Sequence, residues 1–148
     1  MRCIQIIART LLISFVCCHS VSSGQQTRND GNWWVGLSES NKTFFVGGMF
    51  DGITLGRDFA LRSFTEKNPT DPMIVTILNG FSTTERRLMS NVTAGQVVAG
   101  LDDFYKDYKN RRIETPYAVE VVLEGTAGMQ KDKLETFIEQ LRQLASKY

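Results

Sequence analysis

Residues 93–112 read TAGQVVAGLDDFYKDYKNRR, and this stretch decides the fold. Thr93 and Gln96 form a T-x-x-Q capping box, in which the two residues exchange bonds with each other's backbone N–H groups and so start a helix. Val97, Val98, Leu101, Phe104, Tyr105 and Tyr108 then recur at helical spacing on one face, while Asp102, Asp103, Lys106 and Lys109 occupy the other. An amphipathic helix of this kind packs its apolar stripe on a core. The segments around it also read mainly as helix, so we expect a small all-α domain, a bundle of four or five helices.

Downstream, residues 110–113 make a basic turn, and Thr115-Pro116 reads as a cap followed by a first-turn proline. The helix it opens carries Tyr117, Ala118, Val119, Val121, Val122 and Leu123, with Glu120 and Glu124 as its only polar stripe. It should be the most buried helix, although its β-branched content leaves a strand as the alternative. Gly125 and Gly128 end the segment. A last helix from about Lys131 to Lys147 turns Leu134, Phe137, Ile138, Leu141, Leu144 and Ala145 inward.

Upstream, Ser38 is an N-cap with Glu39 in the first turn, and a long helix is predicted from Glu39 to about Phe64. Trp33-Trp34 before it reads as a hydrophobic staple over the helix start, with an exposed anchor as the alternative. Phe45, Met49 and Ile53 recur every four residues, and Gly48, Gly52 and Gly56 keep the same spacing. Each glycine costs a helix up to about 1 kcal/mol relative to alanine, so three in register predict either a seam where another helix approaches closely, the preferred reading, or a break in the helix. Asn68-Pro69 and Asp71-Pro72 form a turn and a helix start. Residues 73–78 suit either a helix or a short strand, Asn79-Gly80 breaks the run, and Ser82 with Glu85 makes a second capping box.

The first residues look like a secretory leader. Arg2 and Arg9 precede the apolar run Leu11 to Cys18, and small polar residues follow to Gly24. The run is far short of the roughly 20 residues that span a bilayer. The expected division is a signal peptide over 1–23 and a helical domain over 24–148, exported to the periplasm or beyond. Lipidation at Cys17 or Cys18 is the competing reading, opposed by bulky Phe15 and Val16 just before them. Cys3, Cys17, Cys18 and His19 are all the cysteine and histidine in the chain. A mature chain without them has no disulfide, no Cys/His zinc site and no histidine-based nucleophilic catalysis. The chain holds 17 basic and 16 acidic residues, and loss of Arg2 and Arg9 leaves 15 against 16, a net charge of −1. Such a balance offers no basic field for nucleic acid. No cofactor is expected, and no membrane span once the leader is gone.

Tyr105, Tyr108, Asn110, Arg111 and Arg112 mix aromatic and arginine side chains at one helix end, the composition of a protein-binding hot spot. The same residues also suit an ordinary helix C-terminus. Asp51, inside the glycine-rich helix, reads as an exposed acid; if buried, it would need Arg111 or Arg112 as a partner. Asp102-Asp103 reads as part of a solvated face. Asn41-Lys42-Thr43 and Asn91-Val92-Thr93 match the N-glycosylation sequon.

The segment from Thr93 to Glu124, together with FFVGGMFDG from Phe44 to Gly52, resembles the Tai-like helical proteins of bacterial envelopes. The resemblance covers most of the chain after the leader, in order. Some members of that family are periplasmic immunity proteins that block amidase toxins delivered by type VI secretion. It therefore implies a non-enzymatic protein that binds a protein partner, and no catalytic residue carries over. Two other functions are compatible with the residues. One is a carrier of a small apolar ligand, with the glycine-lined helix beside a cavity. The other is an envelope hydrolase using carboxylates alone, such as Asp51 facing Asp103.

Overall fold

The computed structural model describes residues 28–66 and 71–147. The leader-like segment 1–23, with Cys3, Cys17, Cys18 and His19, lies outside the described residues, as does the Asn68-Pro69 turn. Among the described residues six α-helices follow one another: α1 (Gly31–Val35), α2 (Glu39–Thr65), α3 (Pro72–Met89), α4 (Ala94–Phe104), α5 (Thr115–Thr126) and α6 (Lys131–Ala145). The domain is all-α, with more helices than the four or five expected. The extra element is α1, because the tryptophan pair forms a short helix of its own; from it Trp33 and Trp34 still pack over the start of α2, with ring centroids 5.0 and 6.2 Å from that of Phe45. Asp30 caps α1 by accepting from the N–H groups of Asn32 and Trp33.

The core forms where α4 and α5 cross. α4 also packs on α2, and α5 on α6 and α3. Trp34, Val46, Val97, Leu101, Tyr105, Ile113 and Ala118 are sealed from solvent or nearly so. α5 buries Thr115, Ala118, Val119, Val121 and Leu123, more than any other helix, so it is helix rather than strand and central as its apolar circumference implies. Helix propensity disfavours β-branched residues by only a few tenths of a kcal/mol each, and packing on three neighbours outweighs that.

Local signals account for most helix ends. The Thr93–Gln96 capping box is complete: Gln96 N donates to Thr93 Oγ1 at 3.2 Å, and Thr93 N donates to Gln96 Oε1 at 2.8 Å. Ser38 caps α2 through Asn41 N, and Asp71 caps α3 through Met73 N, with Pro72 at the first helical position. α5 ends where Gly128 turns left-handed at φ +89° and Met129 N donates back to Glu124 O at 2.9 Å. Gly125 lies inside the helix instead.

Several expectations are corrected. Residues 73–78 are helix, and Asn79-Gly80 does not break it, because α3 runs without interruption to Met89. Ser82 and Glu85 are therefore mid-helix and cap nothing. Thr115 is not the cap of α5: Glu114 holds that position, and the Thr115 hydroxyl donates to Asn29 O at 2.7 Å, tying the chain before α1 to the start of α5. Leu144 is 42 % exposed and not on the inner face of α6. Gly48, Gly52 and Gly56 receive no neighbouring helix, since a Cβ built on any of them meets nothing within 4 Å. The glycine that allows helices to close up is Gly100, where a Cβ would strike the Val122 side chain across the α4–α5 crossing.

Candidate functional site

Glycine on α2 has a different consequence. With no helix seated on it, the Gly52 and Gly56 side of α2 forms one wall of an open groove of about 510 Å³. α2 also contributes Met49, Ile53 and Ala60 to it. α3 supplies Ile77, Phe81 and Leu88, and α5 closes the floor with Val119 and Leu123. Ile77 and Phe81 are 57 % and 42 % exposed, and no residue of α3 is fully buried. Apolar side chains at 77, 81, 84 and 88 spacing line one side of a helix. Here that side, broken only by Thr84, faces the groove rather than a packed neighbour.

Three charged residues interrupt the lining. Arg57 Nη1 donates to Glu85 Oε2 at 2.7 Å, bridging α2 and α3, and Arg57 also donates to Asp58 Oδ1 at 3.1 Å. These carboxylates raise the pKa of the guanidinium still further, the Glu85 hydrogen bond most of all. Glu120 of α5 is exposed at the groove and has no ion pair among the described residues. The pocket is thus an apolar trough with one satisfied ion pair and one free carboxylate.

The aromatic–arginine cluster expected at the end of α4 is divided between interior and surface. α4 stops at Phe104; Tyr105, its C-cap, stays on the buried face with Val97, Val98 and Leu101, whereas Tyr108 leaves that face. Tyr105 is completely buried and its hydroxyl donates to Ile113 O at 3.0 Å; burial drives the phenol's pKa well above its ordinary value. Gly31 lies flat against this ring, where a Cβ would collide with it and come within 2.8 Å of Arg111 Cα. Asn110 is buried as well. Its amide donates to Phe104 O at 2.7 Å, and its carbonyl oxygen accepts from Arg142 Nε at 2.9 Å. Arg111 Nε donates to Tyr105 O at 3.2 Å. Those three residues hold the chain's reversal together, and Tyr105 and Asn110 are buried away from any partner. Tyr108, on the one-turn 3-10 helix Tyr108–Asn110, is 74 % exposed, and Arg112 is exposed too. The turn beneath Tyr108 is braced by Arg142 Nη2, which donates to Asp107 Oδ2 at 2.9 Å.

Asp51 is exposed on α2, as read from the sequence, and neither Arg111 nor Arg112 pairs with it. Asp103 is exposed and pairs with Lys106 at 3.1 Å. Asp102 is not a solvated-face residue. Its Oδ1 accepts from Lys42 Nζ at 2.8 Å and from Trp34 Nε1 at 2.8 Å. Lys42 is 7 % exposed and sits 5.6 Å from the Trp34 ring centroid, a cation–π distance. The Asp102 hydrogen bond raises the pKa of Lys42, against the opposing effect of burial. Sequence reading missed this node, because its partners lie on three separate helices.

Among the described residues, no group of three or more His, Cys, Asp or Glu side chains is placed to hold a metal ion, and no helix is long and apolar enough to cross a membrane. Fold and groove together define a helical domain with an open apolar trough. No family profile, curated protein sequence or solved structure matches this chain.

Proposed function

We propose that this protein is an exported, non-enzymatic binding protein that holds a small apolar ligand in the groove between α2, α3 and α5. The groove carries the reading: its volume of about 510 Å³ falls within the roughly 300–1,000 Å³ of small-ligand sites. Its exposed apolar side chains, Ile77 and Phe81 among them, would gain about 25 cal/mol per Å² of apolar surface covered by a guest. Export is supported by the leader-like residues 1–23. The test is titration of the protein with Nile red, a neutral apolar dye. A 1:1 complex is expected, weakened at least tenfold by Phe81→Glu, which sets a charge among the groove's apolar side chains. Unchanged dye affinity in that variant would remove the groove from the hypothesis.

A second reading, inhibition of a protein partner in the manner of the Tai-like immunity proteins, is favoured by one observation. Tyr108 projects 74 % exposed from a turn fixed by Arg142 and Asn110, and a rigid exposed aromatic suits a hot spot. Affinity capture from an envelope extract tests it. A stoichiometric partner lost with Tyr108→Ala supports the inhibitor, and retention by that variant counts against it. The carboxylate hydrolase draws no support from the acids named for it, since Asp51 and Asp103 are both exposed and Asp103 is paired with Lys106.

A further inference from the structure

We infer that the groove selects a single-chain amphiphile with a cationic head, the alkyl chain lying between α2 and α3 and the head at Glu120. The inference rests on the groove being the ligand site and adds the charge of the ligand. The groove is apolar along its length apart from Thr84 and three ionised side chains. Of these, Arg57 is already shared between Glu85 at 2.7 Å and Asp58 at 3.1 Å. Its charge is spent inside the protein, and an anionic head would have to displace a carboxylate to use it. Glu120 is the opposite case, exposed at the groove and without an ion pair among the described residues. The three ionised side chains of the lining, Arg57, Glu85 and Glu120, carry a net charge of −1 around an apolar channel, and with Arg57 and Glu85 paired that charge is the one on Glu120. Low-dielectric walls strengthen such a field over its value in open water. A fatty carboxylate therefore meets repulsion where a quaternary or primary ammonium meets attraction.

The experiment uses the whole domain and three probes of equal chain length, each below its micelle concentration: decyltrimethylammonium, decanoate and decyl glucoside. Calorimetric titration should rank the cation first, on the order of tenfold tighter than the anion, since each exposed charge contact is worth about fivefold at most and attraction replaces repulsion. The preference should shrink at high salt, as Debye screening requires. Glu120→Gln should abolish the ranking of the cation over the anion. Gly56→Leu should weaken all three, because it places a side chain in space that is open beside α2. Equal affinity for the three probes overturns the charge selection and leaves the apolar groove standing. A cation preference that survives Glu120→Gln overturns the assignment of the head. Failure of every probe to bind, or binding indifferent to Gly56→Leu, overturns the groove as the ligand site and this inference with it.

Discussion

Replacing Asp102 with asparagine keeps the shape of the side chain and removes the charge that holds Lys42 inside the protein. Lys42 Nζ lies 2.8 Å from Asp102 and 3.1 Å from Glu39, with 9 % of its side chain exposed. Removing one member of a buried ion pair typically costs about 3–5 kcal/mol, because the other charge is left without compensation. Two features reduce that figure here. Asp102 keeps 34 % of its side chain in solvent, and Glu39 remains as a second, exposed partner. About 2 kcal/mol is the expected loss. With a urea slope of about 2 kcal/mol/M, the unfolding midpoint should fall by about 1 M at constant slope. Tryptophan fluorescence is the natural readout, since Trp33 and Trp34 are the chain's two tryptophans and Trp34 Nε1 donates to the same Asp102 oxygen. Lys42→Met, which removes the buried charge itself, should cost about 1 kcal/mol or less. The double variant should be more stable than Asp102→Asn alone. A loss below about 0.5 kcal/mol for Asp102→Asn, or a double variant no better than it, would refute the reasoning that a stranded ammonium sets the cost.

Three further outcomes follow from the structure. Gly48→Ala should stabilise the protein by about 0.5–1 kcal/mol, the helix-propensity gain at an open site, whereas Gly100→Ala should destabilise it because the new methyl strikes Val122; thermal unfolding of both variants distinguishes a bare glycine from a packed one. Asn110→Ala should cost about 2 kcal/mol by leaving the Phe104 carbonyl unpaired and Arg142 without one acceptor, measured by urea titration. Stability should decline at both ends of the pH scale, for different reasons. Glu124, held below its ordinary 4.5 mainly by its hydrogen bonds from Arg87, contributes stability that is present above 4.5 and lost as pH falls through its folded value. Lys42 and Tyr105, both raised above 10.5 and 10.0, contribute stability that is complete below those values and lost as pH rises through their folded ones. Arg87→Gln should flatten the acid limb alone, and Lys42→Met should flatten the alkaline one in part, leaving the Tyr105 share.

What the sequence made legible was mostly local. The Thr93–Gln96 box, the Asp71-Pro72 start and the apolar circumference of α5 each act within a few residues, and each stands in the structure as read. The errors came where a distant partner decides. Asp102 looked like a solvated acid because its partners, Trp34 and Lys42, are 68 and 60 residues away. Tyr108 looked like a continuation of the α4 stripe, but Asp107 caps a tight turn and Asn110, anchored by Arg142 of α6, folds the chain back. Gly48, Gly52 and Gly56 announce a missing Cβ, and nothing local says whether a neighbour fills the space. The groove was legible only to that extent, as a glycine-lined helix beside a possible cavity. The apolar face of α3 was hidden by reading Asn79-Gly80 as a break, when a single glycine costs about 1 kcal/mol and the helix tolerates it.

The absence of any fully buried residue in α3 also sets how the molecule breathes. Free energy of local opening follows buried contacts, so amide hydrogen exchange should be slowest in α4 and α5, which share the core crossing, and much faster in α3. The groove's outer wall is then the part of the domain that opens most readily. A ligand that touches α2, α3 and α5 together closes it, and at a hundredfold excess over its dissociation constant adds about 2.7 kcal/mol to every state that opening would destroy. Occupancy of the groove should therefore register as a roughly hundredfold slowing of exchange in α3, a change in the dynamics of one helix that needs no movement of the core.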